Sequence, residues 1–596
     1  MKKTLVRGLL CAALLLSSTA ILSPAPYVYA SGAVTLDYVF DAEGNAYVKS
    51  GNVTGAVTVP ATVPNSDGTR SAVVGIAAEA FRGTSITSVT LPASLLWVGD
   101  GAFSDCVNLE SVNFSSASVR LGGALFAGCE NVALAGTDNI VYVGKNALEN
   151  TAYLAEHAAD DELYIGKCLY RSTADGDVTL KAGTLSIAPE VFKGATVYSV
   201  TFCDGFQIIG DDAFSGCDAL YTLRFGNSLT EIGARAFDGS ALTGYPAFPS
   251  TLEKIGAYAF RNCTLLSGVE LYGAESLTSL PNGAFYGCDS LVRAELPPTL
   301  TSIGDNCFYA DSELSELSCT GLRFIGTDAF RNCSALSEDA VFFNVEAVGT
   351  GAFDGTALLK KADNEVYIGS ALYRFKDAEV TAYDVHATSV TARAGIDCVF
   401  DRLTLCDTLV SIGEKALPLA ENATIVSVTR TPAVYDYFEG MTYKTLYMPS
   451  GVLETRPQNA VYLTGLEVTS LPTKLDYKAD EELDNAGLSV ALVAEDGKRL
   501  EPHCHSYDYD FHKSGVVTVS CGEFKTTFTV RVTGAVKAGD LNGDGNVDAI
   551  DLALMRQYLA GLIPKEDLHL SAADVDGNGE VDTGDLLALR RTLSGL

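Results

Sequence analysis

Tryptophan and histidine are nearly missing from this chain of 596 residues, which has one Trp, Trp97, and six His. Basic residues are also scarce, with 41 Lys and Arg against 74 Asp and Glu, a formal charge of −33. A surface with that balance repels phosphate backbones and anionic lipid heads, which excludes general nucleic-acid binding and a polybasic membrane dock. The lone indole argues against the Trp-rich platforms on which many sugar-binding modules stack their ligands. The histidines (His157, His386, His503, His505, His512 and His569) are scattered, and His-Glu-x-x-His, Gly-x-Ser-x-Gly and phosphate-cradling Gly-rich motifs are missing. Beyond Ala30 no apolar run approaches the roughly 18–20 residues of a membrane span. Charge is sparse overall, at 19% of residues, yet 47% are apolar, so the chain folds. Its length points to several folded units or one long repeat array.

What is present begins with an export signal. Lys2, Lys3 and Arg7 precede an apolar stretch from Leu9 to Leu16, and Val28-Tyr29-Ala30 suits cleavage before Ser31. Residues 1–30 are therefore expected to be a signal peptide and the mature protein to be extracellular.

A repeat of about 23 residues fills the middle. An Ala-Phe pair or a close variant recurs at Phe81, Phe103, Phe126, Leu148, Phe192, Phe214, Phe237, Phe260, Phe285, Phe308, Phe330, Phe353, Phe400 and Leu417. The steps from Leu148 to Phe192 and from Phe353 to Phe400 are near double length, so each is expected to hide a degenerate unit. A full unit reads Ile255-Gly256-Ala257-Tyr258-Ala259-Phe260-Arg261-Asn262-Cys263, and Ile325-Gly326 through Cys333 repeats it. Alternating segments such as Leu220 to Phe225 and Leu291 to Pro297 then read as strands. One such unit cannot bury its own Ile, Ala, Phe and Leu; stacked units share a continuous core.

These residues resemble BspA-like leucine-rich repeats over about Val73 to Gly451. Val141-Tyr142-Val143-Gly144, Leu163-Tyr164-Ile165-Gly166 and Val366-Tyr367-Ile368-Gly369 look like that family's interspersed Tyr-Ile-Gly turns, and Leu446-Tyr447-Met448-Pro449 like a terminal coil. The resemblance implies an N-terminal cap over residues 31–70, a mainly β leucine-rich repeat solenoid over 71–460, and non-catalytic binding of a protein or glycan. Strand positions such as Thr222, Arg224, Arg293 and Glu295 are the places to look for that contact, although they equally suit a solvated face.

Cys106, Cys129, Cys217, Cys263, Cys288 and Cys333 each sit three residues after a repeat Phe. Periodicity alone makes them recur, so they read as a ladder of buried thiols behaving as small hydrophobes. Cys504 and Cys521 lie outside the repeats in neighbouring strand-like segments, and a disulfide between them is left open. Their surroundings, Gly465 to Thr533, alternate in the manner of short strands, with turns at Asp496-Gly497 and Ser514-Gly515. The run Leu471 to Tyr477, then Leu483 to Leu488 and Phe528 to Val532, resembles a bacterial Ig-like domain, which implies a small β-sandwich over 464–533. His503 and His505 share a strand face, but two donors fall short of the three or four that a transition-metal site needs.

The most specific chemistry lies at the C-terminus. Asp540, Asn542, Asp544, Asp548 and Asp551 fall at positions 1, 3, 5, 9 and 12 of a loop, with Gly545 at position 6 and the backbone carbonyl of Asn546 at position 7. Asp574, Asp576, Asn578, Glu580, Asp582 and Asp585 repeat the pattern. This is the all-oxygen spacing that a hard cation with six to eight ligands requires. Apolar periodicity predicts a helix after each loop, through Leu552, Met555 and Leu559 and through Leu586, Leu589 and Leu593.

Position 12 is Asp rather than Glu, and no entering helix precedes the first loop, so the pair departs from a full EF-hand. Loop plus exit helix, duplicated over residues 539–596, resembles a type I dockerin. The resemblance implies a small all-α module holding two Ca²⁺ and docking into a cohesin domain on a scaffoldin of a cellulosome-like complex. It also implies partner contacts by Ala549, Ile550 and Arg556 in the first half and by Thr583, Gly584, Arg590 and Arg591 in the second. Because the halves differ, one binding orientation is expected to dominate. The expected function is a secreted adhesion or binding protein held at the cell surface through the scaffoldin, with polysaccharide catabolism as its setting. The alternatives are an enzyme delivered by the same docking, or a spacer or protease inhibitor of the complex.

Overall fold

A computed structural model of the chain describes residues 27–31, 34–64, 69–115, 118–337, 342–360, 364–376, 378–478, 481–502, 504–511, 515–533, 537–542, 546–563, 570–578 and 580–594. Most of the expected signal peptide, residues 1–26, lies outside these. Two compact units form, Met1–Ala362 and Asp363–Leu596.

The first unit is a parallel β-solenoid opened by an antiparallel hairpin. Strand Val34–Phe40 pairs antiparallel with Tyr27–Ser31 on one side and Ala46–Asn52 on the other. Ala46–Asn52 then pairs parallel with Arg70–Ile76, and the ladder continues through Trp97–Val98, Val119–Leu121 and Ile140–Val143. A second parallel ladder runs through Thr54–Thr58, Ser85–Leu91, Ser111–Phe114 and Ala133–Ala135. Each coil thus contributes one short strand at its Ile-Gly and another at its Leu-rich segment.

Three repeat residues explain why the coils stack. The Phe side chains form a column: Phe192 and Phe214 lie 5.2 Å apart between ring centroids, Phe214 and Phe237 5.4 Å, Phe237 and Phe260 5.2 Å, all stacked with nearly parallel planes. That spacing is set by strands about 4.8 Å apart, and each stacked pair adds about 1 kcal/mol beyond its burial. The Gly after the Ile has no room for a side chain. A Cβ at Gly210 would stand 2.6 Å from Pro189 N, and one at Gly233 2.5 Å from Asp211 N, each on the preceding coil. The thiols tie neighbours together: Cys217 Sγ donates to the Phe192 carbonyl at 2.9 Å, Cys263 to Phe237 at 3.1 Å and Cys333 to Phe308 at 2.9 Å. All six repeat cysteines are buried and free. Burial pushes the Cys263 thiol up to about 12, which keeps it protonated and unreactive.

The double-length step after Leu148 holds an antiparallel hairpin, Glu162–Ile165 with Cys168–Ser172, whose second strand takes a place in the ladder beside Ser186–Ile187. Its turn needs the left-handed φ of 61° at Gly166. In the second unit Glu365–Ile368 and Ala371–Phe375 form the same hairpin, with Gly369 at φ 60°. The Tyr-Ile-Gly signature therefore marks hairpins at two of its three sites, while Val141 to Val143 lie in an ordinary ladder strand.

In the second unit the ladder Ala382–Val385, Phe400–Leu405, Leu419–Ser427, Thr445–Pro449 does not stop at the last coil. Thr445–Pro449 pairs parallel with Ala460–Ser470, which pairs antiparallel with Ser489–Ala494. A second layer, Ser506–Tyr509, Val516–Cys521 and Phe524–Thr529, packs onto it. Val426, Val428 and Tyr447 of the coils share one core with Leu466, Leu492, Val517, Val519 and Phe528. The β-layers are thus a continuation of the solenoid sheet rather than a bead on a linker. Cys521 is free, buried on the inward face of its strand, and Cys504 is bonded to Cys406 instead, with Cα atoms 5.6 Å apart. The register explains it. Ser506 lies opposite Ser520 and Phe524 opposite Cys521, so Cys504 falls beyond the ladder and away from Cys521. His503 is outside the described residues. His505 is held by the Pro502 carbonyl at 2.9 Å and the Tyr507 hydroxyl at 2.8 Å, so it is not poised as a ligand.

Asp311 breaks the repeat rule. It occupies the Cys position of its coil and is fully buried; one oxygen accepts the Cys288 N–H at 2.7 Å and Oδ2 has no hydrogen-bond partner. Burial pushes its carboxyl well above the ordinary 3.8. A carboxyl whose folded pKa is raised supports stability below its unfolded pKa and loses that support as pH rises. Against Asp311→Asn, which mimics the neutral form, wild type should match near pH 4 and then fall behind by up to about 1.4 kcal/mol per pH unit, read by denaturant titration across pH. Gly233→Ala should cost about 3 kcal/mol in the same titration, because the methyl group meets backbone of the coil before it.

Candidate metal centre and partner face

The C-terminal module packs around Leu541, Met555, Ala573 and Leu589, with Val547, Leu552, Val575, Val581 and Leu586 around them. Leu541 matches Val575, Val547 matches Val581 and Met555 matches Leu589 at equal places in the two loop-helix units, so the duplication builds a two-fold core. Helices Ala549–Leu559 and Thr583–Ser594 follow the loops as expected. The halves clasp where Gly539 N donates to the Ala572 carbonyl at 2.8 Å.

Each loop is closed on itself by its twelfth residue. Asp551 is fully buried; Oδ1 accepts from Leu541 N at 2.8 Å and Oδ2 from Asp548 N at 2.8 Å, while Asp548 caps the helix by accepting from Ile550 N at 2.7 Å. Asp585 does the same in the second loop, accepting from Val575 N at 2.7 Å, Asp576 N at 3.0 Å and Asp582 N at 2.9 Å. An Asp at position 12 therefore locks loop to helix as well as offering oxygen. Asp540 is also buried, and Asp544 lies outside the described residues.

The donor set suits a hard cation. Asp574, Asp576 and Asp585 bring carboxylate oxygens within 4.8 Å of one another. Three carboxylates so close repel one another, a cost that a divalent ion among them would relieve, and oxygen-only donors are what Ca²⁺ takes. Asn578 and Glu580 shape the same loop, with Glu580 N donating to Asn578 Oδ1 at 2.8 Å. The residues expected at the partner surface are outward-facing: Ile550 is 56% exposed, Ala549, Arg556, Thr583, Arg590 and Arg591 are exposed, and Gly584 is half-buried.

On the solenoid, Thr222, Arg224 and Arg293 are exposed and Glu295 half-buried. Arg293 pairs with Glu295 and with Glu316 on the next strand. The reading by spacing missed a row of tyrosines beside them. Tyr198, Tyr221 and Tyr245 are each about half exposed, and Tyr221 N donates to the Tyr198 carbonyl at 3.0 Å, so the first two stand on adjacent strands at one level. Their intervals of 23 and 24 residues were the available signal.

The fold and site define a class: a parallel β-solenoid joined to a duplicated loop-helix module of calcium-binding type. Family comparison makes it specific. The BspA type leucine rich repeat region matches in six copies over residues 69–175, 185–274 and 245–360, and the type I dockerin domain matches residues 538–594. The chain carries BspA-type leucine-rich repeats and a C-terminal type I dockerin, a domain that binds calcium. Among solved structures it is similar to a leucine rich cell surface protein from Faecalibacterium prausnitzii (18% identity, 66% of this chain and 95% of that one, TM-score 0.21). It is also similar to leucine-rich repeat proteins from Eubacterium ventriosum (16% identity, 58% and 100%, TM-score 0.27) and Bacteroides ovatus (16%, 72% and 100%, TM-score 0.25). No curated protein matches. No helix among the described residues is long and apolar enough to cross a membrane.

Asp551→Ala removes the acceptor for the Leu541 and Asp548 amides together. Hydrogen exchange should accelerate at those amides by about tenfold or more, since each lost buried acceptor costs about 1–3 kcal/mol, while the solenoid amides stay unchanged.

Proposed function

We propose that this is a secreted, non-catalytic binding protein whose repeats hold a protein or glycan and whose dockerin, ordered by two Ca²⁺, attaches it to a cohesin-bearing scaffoldin of a cellulosome-like complex at the cell surface. The observation that carries the reading is the pair of twelve-residue loops, each tied to its own exit helix through Asp551 or Asp585, within the matched dockerin. The proposed calcium ligands are Asp540, Asn542, Asp544, Asn546, Asp548 and Asp551 in one loop and Asp574, Asp576, Asn578, Glu580, Asp582 and Asp585 in the other. Calcium supplies positive charge at the meeting point of these oxygens; the chain's own part is to fix the helices so that their outer faces are presented to the partner.

The two faces are chemically unlike. The first half offers an exposed isoleucine, Ile550, beside Arg556; the second offers Thr583 and Gly584 beside the paired Arg590 and Arg591. One orientation on the cohesin should therefore dominate. For the repeats, the row Tyr198, Tyr221 and Tyr245 supports placing the target along the longer strands, because exposed aromatics with hydrogen-bonding neighbours are typical of contact surfaces. The acidic surface supports a target without strong negative charge.

Full-length protein titrated against a panel of cohesins should bind at least one in Ca²⁺ and lose it in chelator. In that complex, Ile550→Ala with Arg556→Ala and Thr583→Ala with Arg590→Ala should weaken binding unequally, by tenfold or more for one pair, an energy of about 1.4 kcal/mol. Absence of binding to any cohesin in either condition would sink the docking claim, and equal losses would sink the single orientation.

A further inference from the structure

In the second unit, three donors from three separate segments meet. His386 follows strand Ala382–Val385 and Cys406 follows Phe400–Leu405, and the parallel register of Val385 with Leu405 sets the two side by side on adjacent coils. Cys406 Sγ lies 3.4 Å from His386 Nδ1, and Thr408 Oγ1 donates to the His386 carbonyl at 3.2 Å. Cys504 arrives from the terminal β-layers. The ligand atoms of all three lie within 4.8 Å of one another, with Cys406 buried, Cys504 half-buried and His386 exposed. Among the described residues, no other group of this kind brings sulfur and imidazole together.

When Cys406 and Cys504 are joined as a disulfide, each sulfur is committed to the other. As thiols they offer something different: two thiolates and an imidazole are the donor set of a borderline-soft, four-coordinate cation, leaving one position for water on the exposed side. The segments do not need the disulfide to stay together. Ala460–Ser470 is paired to Thr445–Pro449, Arg430 is paired with Glu523, and Val426 and Val428 share the core of the β-layers. Opening the bond therefore leaves the three donors gathered, which removes much of the ordering cost of binding an ion.

We propose that Cys406, Cys504 and His386 form a Zn²⁺ site whenever the two cysteines are thiols. The last coils and the β-layers are then held by a covalent bond in one state and by a metal in the other. Binding forms two zinc–sulfur bonds and one zinc–nitrogen bond and releases the two thiol protons to solvent. The site is separate from the calcium loops, whose donors are oxygen, and from the repeat thiols, which are buried without histidine.

The test uses the full chain with its dockerin saturated by Ca²⁺. A phosphine opens the disulfide under argon, becoming its oxide with oxygen from water while the two sulfurs each take up hydrogen; after desalting, Co²⁺ and then Zn²⁺ are added. One equivalent of Co²⁺ should produce the near-ultraviolet thiolate band and the visible bands of a tetrahedral sulfur and nitrogen site, and Zn²⁺ should bleach them. The unreduced chain should give none, Cys406→Ser with Cys504→Ser should abolish the band, and His386→Ala should weaken Co²⁺ binding by at least about tenfold. His386 is exposed, so its unreduced variant should melt as wild type does, separating loss of a ligand from loss of fold. Absence of a thiolate band in the reduced wild type overturns the proposal. So does a band unchanged in the double serine variant or in His386→Ala.

Discussion

Every coil of this solenoid must sit on a copy of itself at the spacing of paired strands. That one constraint selects the repeat residues. A flat ring can stack on its own image at 5.2–5.7 Å, so Phe fills the core column. Where backbone meets backbone no Cβ fits, so Gly follows Ile. A thiol is small enough to be buried and still donate to the carbonyl of the coil before it, which explains a cysteine-rich core in which the cysteines do not bond to each other. Asp311 shows what the constraint tolerates: a carboxyl of similar size that accepts the Cys288 N–H in place of donating to a carbonyl, its pKa raised by burial.

The same logic governs how the array ends. A solenoid exposes a strand edge at its last coil, and an unpaired edge invites association with other chains. Here the edge at Thr445–Pro449 is taken by Ala460–Ser470, and the sheet turns antiparallel before it closes into a second layer. The β-layers thereby cover that strand edge within the second unit; in the first unit the strands Val34–Phe40 and Ala46–Asn52 open the ladder. The dockerin is built on the opposite principle. Its apolar core is small, and its second loop gathers three carboxylates, a donor set that suits a hard cation. It also carries 11 acidic residues against four basic from Asp540 onward.

Much of this was legible in residue order. Spacing alone locates the Phe column, the ladder strands and the helices that follow both loops, because each depends on contacts between residues at a fixed interval. The thiol ladder is legible for the same reason. The partner of Cys504 is not: Cys406 lies 98 residues away, and only the turn from parallel to antiparallel pairing brings the two together. The three Tyr-Ile-Gly segments look alike in sequence, yet two are hairpins and one is an ordinary coil, since the outcome depends on whether a second strand follows the glycine at once. The tyrosine row is not legible in the repeat motif because the lateral alignment of Tyr198 with Tyr221 is known only once the coils are stacked.

The sequence by itself therefore determined the repeat architecture, the duplicated calcium-type loops and the classes of partner they imply, since a period of about 23 residues and a donor spacing of twelve are local facts carried by every copy. Only the tertiary structure decided that the terminal β-layers extend the solenoid sheet, that Cys406 and His386 meet Cys504, and which face each loop presents. Those are encounters between segments far apart in the chain, and their geometry comes from accumulated packing of many coils rather than from any one residue's neighbours.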